Sequence, residues 1–143
     1  MKKFTKYFLW GILFWLIVEW FTAFQPNLGK WLSYWPEIWL FYITFPLIFA
    51  HLIYTQKWNE KQIFISTILT IFIVEVIFAH NTLLYTWPVM IAIIPIAIAI
   101  YGFLIFIPKW IVEEKLKENA GKIIIMTVVM AIVSISTYLT STA

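Results

Sequence analysis

The sequence of 143 residues contains no cysteine, no arginine and no aspartate. Without cysteine the chain has no disulfide bond, no thiolate metal ligand and no cysteine nucleophile. Without arginine it lacks the planar side chain that grips phosphate groups at two points, so we expect no nucleic acid partner. Only 12% of the residues are charged, about half the share of a soluble domain. These absences exclude an ordinary soluble protein.

The sequence is rich in long apolar runs. Hydrophobic residues make up 63% of the chain and aromatic residues 20%. Each of five runs has about 18–20 residues, the length at which an α-helix crosses a hydrocarbon core of about 30 Å. The runs cover residues 7–24, 37–54, 63–80, 88–107 and 123–140. The sequence therefore predicts an all-α membrane protein, a bundle of five transmembrane helices that forms a single domain over residues 1–143.

A charged segment separates the fourth and fifth runs, between Pro108 and Gly121. Proline is favoured in the first turn of a helix and glycine just after the last turn. The segment therefore predicts a short juxtamembrane helix over about residues 109–120, on the cytoplasmic side.

Lysine is distributed unevenly between the two sides of the predicted bundle. If the five runs alternate in direction, Lys30 is the only one of the ten lysines on the side away from the N-terminus. Basic residues are enriched in the cytoplasmic loops of membrane proteins. The sequence therefore predicts a multi-pass protein of the cell (cytoplasmic) membrane, with the N-terminus inside and the C-terminus outside.

A short pattern occurs twice along the chain. Ile17-Val18-Glu19 is followed by Tyr34-Trp35-Pro36, and Ile73-Val74-Glu75 is followed by Tyr85-Thr86-Trp87-Pro88. Both units enter the membrane from the same side, so the pattern predicts a parallel repeat of helices 1–2 and 3–4. Glu19 and Glu75 would then lie at one depth near the outer face, where we expect them to approach each other.

Carboxyl groups inside a membrane are costly, which makes Glu19 and Glu75 candidates for function. At one depth they have the chemistry to share a proton, bind a cation or hold a polar head group. The alternative is that each one bonds a neighbouring helix and has only a structural role. The residues alone leave both interpretations open.

Glu37 follows Pro36 directly, which predicts a place in the first turn of the second helix, where the helix dipole favours an anion. Thr44 and His51 follow Glu37 at intervals of seven residues. That spacing places the three on one face of the helix, and we expect this face to point into the bundle.

Small and polar residues form one face on each of the last two helices. They are Ala92, Pro95, Ala99 and Gly102 in the fourth, and Thr127, Met130, Ser134, Thr137 and Ser141 in the fifth. Small residues allow helix backbones to approach closely. Helices 4 and 5 are therefore expected to be packing elements, either within the chain or in a homo- or hetero-oligomer.

The segment Glu37-Ile-Trp-Leu-Phe-Tyr-Ile-Thr-Phe-Pro46 resembles the acidic helix of the small membrane-embedded lycopene cyclase domains. In that family a proline precedes one or two glutamates, Trp-Leu-Phe-Phe follows, and a second proline comes later. Glu19 at the end of the preceding helix and Trp31 in the connection are similar to that family. The chain departs from it at Ile38, where a second acid is common.

The resemblance implies proton-catalysed ring closure of a carotenoid end group, with carboxylic acids as donors and no cofactor. Glu37, Glu19 and Glu75 are then the candidate catalytic residues. A ring-sized apolar cavity is expected beside Glu37. The candidate substrate-binding residues are Trp35, Trp39, Phe41, Thr44 and His80.

Two other functions stay open at this point. A small proton- or cation-coupled transporter would use the same carboxyl groups, and an accessory subunit would present its polar faces to a larger membrane complex. Because no short ligand motif is present, we expect no metal site. The expected partners are the lipid bilayer and an apolar isoprenoid ligand.

Overall fold

The computed structural model describes residues 2–143, and within that range it is helical without strands. Five helices are long and apolar enough to cross a membrane. They run over Lys3–Phe24, Leu28–Tyr54, Glu60–Phe78, Met90–Val112 and Ala120–Thr142. Their α-helical parts are α1 (Lys3–Glu19), α2 (Leu28–Tyr54), α3 (Glu60–Ile71), α4 (Met90–Val112) and α5 (Ala120–Thr142). α1 continues as a wide π-helical stretch over Trp20–Phe24, and α3 continues as another over Phe72–Phe78. The prediction of a multi-pass helical membrane protein is confirmed.

The two ends of the bundle differ in charge. The starts of α1, α3 and α5 lie at one end, which we call the Lys-rich end because every described lysine except Lys30 belongs to it. Ion pairs join Glu60, at the start of α3, to Lys109 near the end of α4 and to Lys122 near the start of α5, with N–O distances of 3.8 and 4.0 Å. Glu19 and the wide stretch after α3 lie towards the opposite end of the bundle.

α2 begins earlier in the chain than the sequence predicts. The side chain of Asn27 accepts a hydrogen bond from the backbone N–H of Lys30 at 2.8 Å and caps the helix at that point. Pro36 and Pro46 lie inside the helix, where other membrane helices and local adjustments make the missing backbone bond tolerable. The prediction that Glu37 occupies the first turn is therefore wrong, and the charge of the helix N-terminus does not reach it.

The predicted juxtamembrane helix over residues 109–120 is also wrong. α4 continues through Pro108 to Val112, and turns connect it to α5. Lys109 lies in this last turn of α4, and its Nζ pairs with Glu113 Oε2 at 2.8 Å. Glu114 then adopts a φ of 59°, a left-handed conformation that ends the helix.

α1 packs between α2 and α4. The Trp15 ring stacks on Phe45 of α2 with 5.4 Å between centroids and meets Tyr101 of α4 edge-on at 6.0 Å. The buried Tyr7 hydroxyl donates a hydrogen bond to the carbonyl oxygen of Ile105 at 3.1 Å. α1 is thus held on both sides by aromatic packing that the apolar runs alone do not specify.

α4 and α5 approach closely at Gly102, where an added Cβ would lie 2.9 Å from Met126 Sδ. Further along α5, the Thr137 hydroxyl donates to the Thr22 carbonyl oxygen at 3.0 Å. The small and polar faces of helices 4 and 5 therefore pack within the chain at these points, while the oligomer stays a prediction. α5 is nonetheless the least buried of the five spans.

Candidate carboxylate site

Both intramembrane carboxyl groups near the opposite end lie where a helix widens. Glu19 is the last residue of α1 before the wide turn, and Glu75 lies inside the wide stretch that follows α3. A π-helical turn holds more residues than an α-helical turn and is frequently found at functional sites. Both carboxyl groups therefore lie at or next to irregular helical backbone, unlike the side chains of the regular helices around them.

Both oxygens of Glu75 are hydrogen-bonded. The Tyr101 hydroxyl donates to Oε1 at 2.8 Å, and the Asn81 side-chain amide donates to Oε2 at 3.1 Å. Tyr101 is buried in α4, and Asn81 comes just after the wide stretch that carries Glu75. Glu75 is therefore held in one orientation by two partners from different parts of the chain.

Glu19 is half-buried and lies within electrostatic range of Glu75, Tyr42 and Tyr101. Its carboxyl group makes no side-chain hydrogen bond with the residues 2–143 that the structure describes. Glu19 and Glu75 therefore interact electrostatically but have different environments. Glu75 is anchored, whereas the oxygens of Glu19 keep their hydrogen-bonding capacity.

A cavity of about 400 Å³ opens beside Glu19, partly enclosed between α1, α2 and the wide stretch after α3. Glu37 also lines it, so two carboxyl groups from different helices face one space. The remaining lining residues are largely apolar or aromatic: Trp15, Tyr34, Ile38, Phe41, Tyr42, Val74, Phe78 and Ala79. This arrangement suits an apolar molecule that meets an acid at one point.

The predicted face of Glu37, Thr44 and His51 does not point into the bundle. Glu37 and His51 are exposed and only Thr44 is half-buried. The buried face of α2 is formed mainly by large side chains, such as Phe45 and Phe49. These side chains bury more apolar surface than the polar ones, which accounts for the rotation of the helix. Glu37 reaches the cavity from its rim.

The five predicted substrate-binding residues separate into two groups. Phe41 lines the cavity, where it meets Phe78 edge-on with 5.2 Å between centroids. Trp35 packs edge-on against the lining residue Tyr42 at 6.5 Å and does not line the cavity itself. The others, Trp39, Thr44 and His80, are outside the lining.

His80 is exposed and adopts a φ of 50° just beyond the wide stretch. His51 is also exposed, and its ring nitrogen lies 3.1 Å from the side-chain nitrogen of Gln56 near the Lys-rich end. Among residues 2–143, no three side chains of the His, Asp, Glu or Cys type are grouped so that they would hold a metal ion. The carboxylate site therefore consists of acids and aromatic groups.

Sequence reasoning missed Tyr101 and Asn81, which hold Glu75, and Trp15 and Tyr42, which line the cavity. Tyr101 is the one residue of α4 with a side-chain hydroxyl group. A polar group in an otherwise apolar helix indicates that it bonds to a partner. Asn81 gives no such signal, because asparagine is common in turns. Its role depends on the fold of the connection after the wide stretch.

Protein-family models, curated proteins and solved structures were all compared with the chain, and none of the three comparisons finds a match.

Proposed function

We propose that the cavity binds an apolar isoprenoid end group and that Glu19 and Glu37 act on it as proton donor and acceptor. One observation carries the proposal: two carboxyl groups from different helices line one apolar, aromatic cavity inside the membrane-spanning part of the chain. Its volume, about 400 Å³, lies within the range of about 300–1,000 Å³ that is typical of small-molecule sites.

The chemistry requires an acid, a base and a site poor in water. A carboxylic acid protonates a terminal carbon–carbon double bond and leaves a carbocation on the neighbouring carbon. A second double bond attacks that carbon and closes the ring, and a carboxylate then removes a proton to restore a double bond. The product is an isomer of the substrate, so the reaction consumes no oxidant or reductant.

The aromatic wall has a role in this scheme. The faces of aromatic rings attract positive charge, and Trp15 and Phe41 line the same space as the two acids. Phe41 is fixed by stacking on Phe45 with 5.9 Å between centroids. The rings would therefore stabilise the carbocation without reacting with it.

Glu75 takes a different role in the proposal from Glu19 and Glu37. Because both of its oxygens accept hydrogen bonds, it is a positioning residue whose charge acts on the nearby Glu19. The resemblance of residues 37–46 to lycopene cyclase domains points to the same chemistry. With the N-terminus inside and the parallel repeat of helices 1–2 and 3–4, the cavity would lie in the outer half of the cell membrane.

The test is expression in bacterial cells that accumulate the acyclic carotenoid lycopene. We expect a product of unchanged mass and altered chromatographic retention. Replacing either acid, in Glu19→Gln or Glu37→Gln, should lower product formation by about 10²-fold or more, because an amide neither supplies nor removes the proton. Equal product in wild type and both variants, at equal amounts of protein in the membrane, would overturn the proposal.

The matched control is Glu118→Gln, because Glu118 is exposed in the connection between α4 and α5 and is not among the cavity residues. It should retain wild-type product formation. Absence of any isomer, together with absence of lycopene from the purified protein, would remove both the catalytic and the binding form of the proposal.

Proton-coupled transport is the second candidate, and the electrostatic interaction between Glu19 and Glu75 favours it. Two neighbouring carboxyl groups are a frequent arrangement for carrying a proton through a membrane protein. The measurement is proton movement into vesicles that contain the purified protein, with Glu19→Gln as the comparison. Gradient-driven proton uptake that disappears in this variant, without formation of an isomer, would favour transport over catalysis.

A further inference from the structure

A second cavity, larger than the first, runs along the outer surface of α4 between α3 and α5. Its volume is about 530 Å³ and its wall is mostly apolar. The lining residues of α4 extend from Pro95 to Trp110, which at 1.5 Å per residue is a length of about 22 Å. We call this the α3–α5 groove. It is distinct from the carboxylate site, because no residue lines both.

Two small residues of α4 line the middle of the groove. Ala99 and Gly102 of α4 line it, with Thr67 of α3 on one side and Met126 of α5 on the other. The short side chains of Ala99 and Thr67 leave a channel between the flanking helices, and Met126, whose Sδ covers Gly102, forms its other wall. About 22 Å exceeds half of a hydrocarbon core of about 30 Å, so the channel is long enough for an acyl chain of one leaflet.

The two ends of the groove differ in charge. Lys61 and Lys122 line the Lys-rich end together with Glu60. Lys61 makes no ion pair within residues 2–143. Lys122 is exposed, and its Nζ lies 4.0 Å from Glu60 Oε2 and donates to Asn119 Oδ1 at 3.3 Å. The exposed cations of this end are therefore available to a negatively charged group, while the rest of the groove suits only hydrocarbon.

Trp110 provides an independent observation at the same end. Its side chain lines the groove and is 2% exposed, and its indole N–H finds no acceptor within the described residues. The ammonium group of Lys122 lies 5.6 Å from the centre of its ring. This end of the groove therefore holds a buried polar group without a partner beside the exposed ammonium group of Lys122.

We propose that the α3–α5 groove binds one anionic phospholipid, with an acyl chain along Ala99 and Met126 and its phosphate at Lys61 and Lys122. Charge complementarity decides between a lipid and a transmembrane helix of another protein as the occupant. A helix would present an apolar surface along its whole length, whereas a phospholipid combines an apolar chain with one terminal anion. The proposal does not depend on the function of the carboxylate site.

The test uses the full chain purified in detergent, with phosphatidylglycerol and phosphatidylcholine as the added probes. Thermal unfolding and native mass spectrometry measure stabilisation and the number of lipids retained. We expect phosphatidylglycerol to be preferred. Replacing both cations, in Lys61→Gln/Lys122→Gln, should reduce that preference by roughly 10- to 30-fold, since each lysine near a membrane surface adds about a tenfold factor or less.

The matched control is Lys57→Gln/Lys117→Gln, which removes two exposed lysines of the same end that do not line the groove. It should keep the preference for phosphatidylglycerol. An equal loss in both double variants would mean that the charge of the whole surface, not the groove, attracts the lipid, and would overturn the proposal.

A third variant tests the apolar part of the groove. Ala99→Phe places a ring in the channel and should reduce retention of both lipids, while the lysine variants reduce only the retention of phosphatidylglycerol. Equal affinity of the wild-type protein for the two lipids would overturn the proposal even if Ala99→Phe failed to fold. So would recovery of a stoichiometric protein partner that cross-links to position 99.

Discussion

The side-chain nitrogen of Gln25 donates hydrogen bonds to both the carbonyl oxygen and the hydroxyl of Ser134, at 2.6 and 2.8 Å. The two residues are 109 positions apart in the sequence. Gln25 follows the wide turn at the end of α1, and Ser134 lies within α5. This contact fastens the first transmembrane segment to the last one, at the end of the bundle away from most of the lysines.

Gln25→Ala removes that contact and should destabilise the docking of α5. Polar contacts between transmembrane helices contribute about 0.6–2 kcal/mol, and the loss should be near the upper part of that range because Gln25 is 9% exposed. Unfolding by titration with a denaturing detergent measures the difference. Gln56→Ala is the control, since Gln56 is exposed and bonded only locally. Equal stability of the two variants would contradict this role of Gln25.

Gly11 and Gly102 should respond differently to alanine. At Gly11 an added Cβ would lie 2.8 Å from Cβ of the buried Pro46, a ring that does not yield, so Gly11→Ala should cost about 1–3 kcal/mol. At Gly102 the nearest atom is the flexible Met126 side chain at 2.9 Å, so Gly102→Ala should be nearly neutral. The unfolding titration described for Gln25 compares the two.

The control for both glycines is Gly121, whose added Cβ meets nothing within 4 Å in the first turn of α5. Gly121→Ala should be neutral or should stabilise the protein by up to about 1 kcal/mol, because alanine favours the helix. If Gly102→Ala proves as costly as Gly11→Ala, the distinction between a rigid and a flexible neighbour fails.

Tyr101 and Glu75 should show coupled effects on stability. Tyr101→Phe removes the donor at 2.8 Å from the half-buried Glu75, and leaving that acceptor without its partner should cost about 1 kcal/mol or more. In the Glu75→Ala variant the Tyr101 hydroxyl already lacks its acceptor. Adding Tyr101→Phe to this variant should therefore reduce the stability less than it does in the wild-type protein. The interaction energy from this double-mutant cycle should be about 0.5–3 kcal/mol.

Tyr85→Phe provides the control for this cycle, because Tyr85 is exposed and its hydroxyl makes no hydrogen bond within the described residues. It should be neutral alone and additive with Glu75→Ala. Additive effects of Tyr101→Phe and Glu75→Ala would show that the hydrogen bond does not stabilise the protein.

The distribution of lysine predicts the orientation in the membrane. Reporter fusions after Lys57 and Lys115 should be active in the cytoplasm, and fusions after Gly29, Thr82 and Ala143 should be active outside. Paired cytoplasmic and periplasmic reporters at each site provide the control. A cytoplasmic signal from the fusion at Ala143 would contradict the combination of five crossings with an inside N-terminus.

The five helices could be predicted because each apolar run is as long as the bilayer is thick, a constraint that acts on each run separately. The start of α2 could not, because Pro36 followed by Glu37 is also the normal beginning of a helix. The decisive feature was Asn27, whose side chain caps the backbone of Lys30. In a membrane helix an internal proline is tolerated, so a proline such as Pro36 does not mark the start of the helix there.

The site could be predicted only in part. An acid in an apolar run stands out by its cost, which identified Glu19 and Glu75. Which groups surround them depends on packing between distant segments, as in the bond from Tyr101 to Glu75. The face of Thr44 and His51 was misjudged because a spacing of seven defines a face of a helix but not which neighbour that face meets.

The wide stretch Phe72–Phe78 has a consequence for how the chain tolerates insertions and deletions. Each residue of an α-helix turns the chain by about 100°, and a π-helical turn accommodates an extra residue within the same helix. Losing one residue next to Glu75 would restore a regular helix and swing everything beyond it by about that angle. Asn81 would then face a new direction, while a substitution at the same position would leave the register intact. Evolution would therefore have to conserve the length of this segment more strictly than the identity of its side chains.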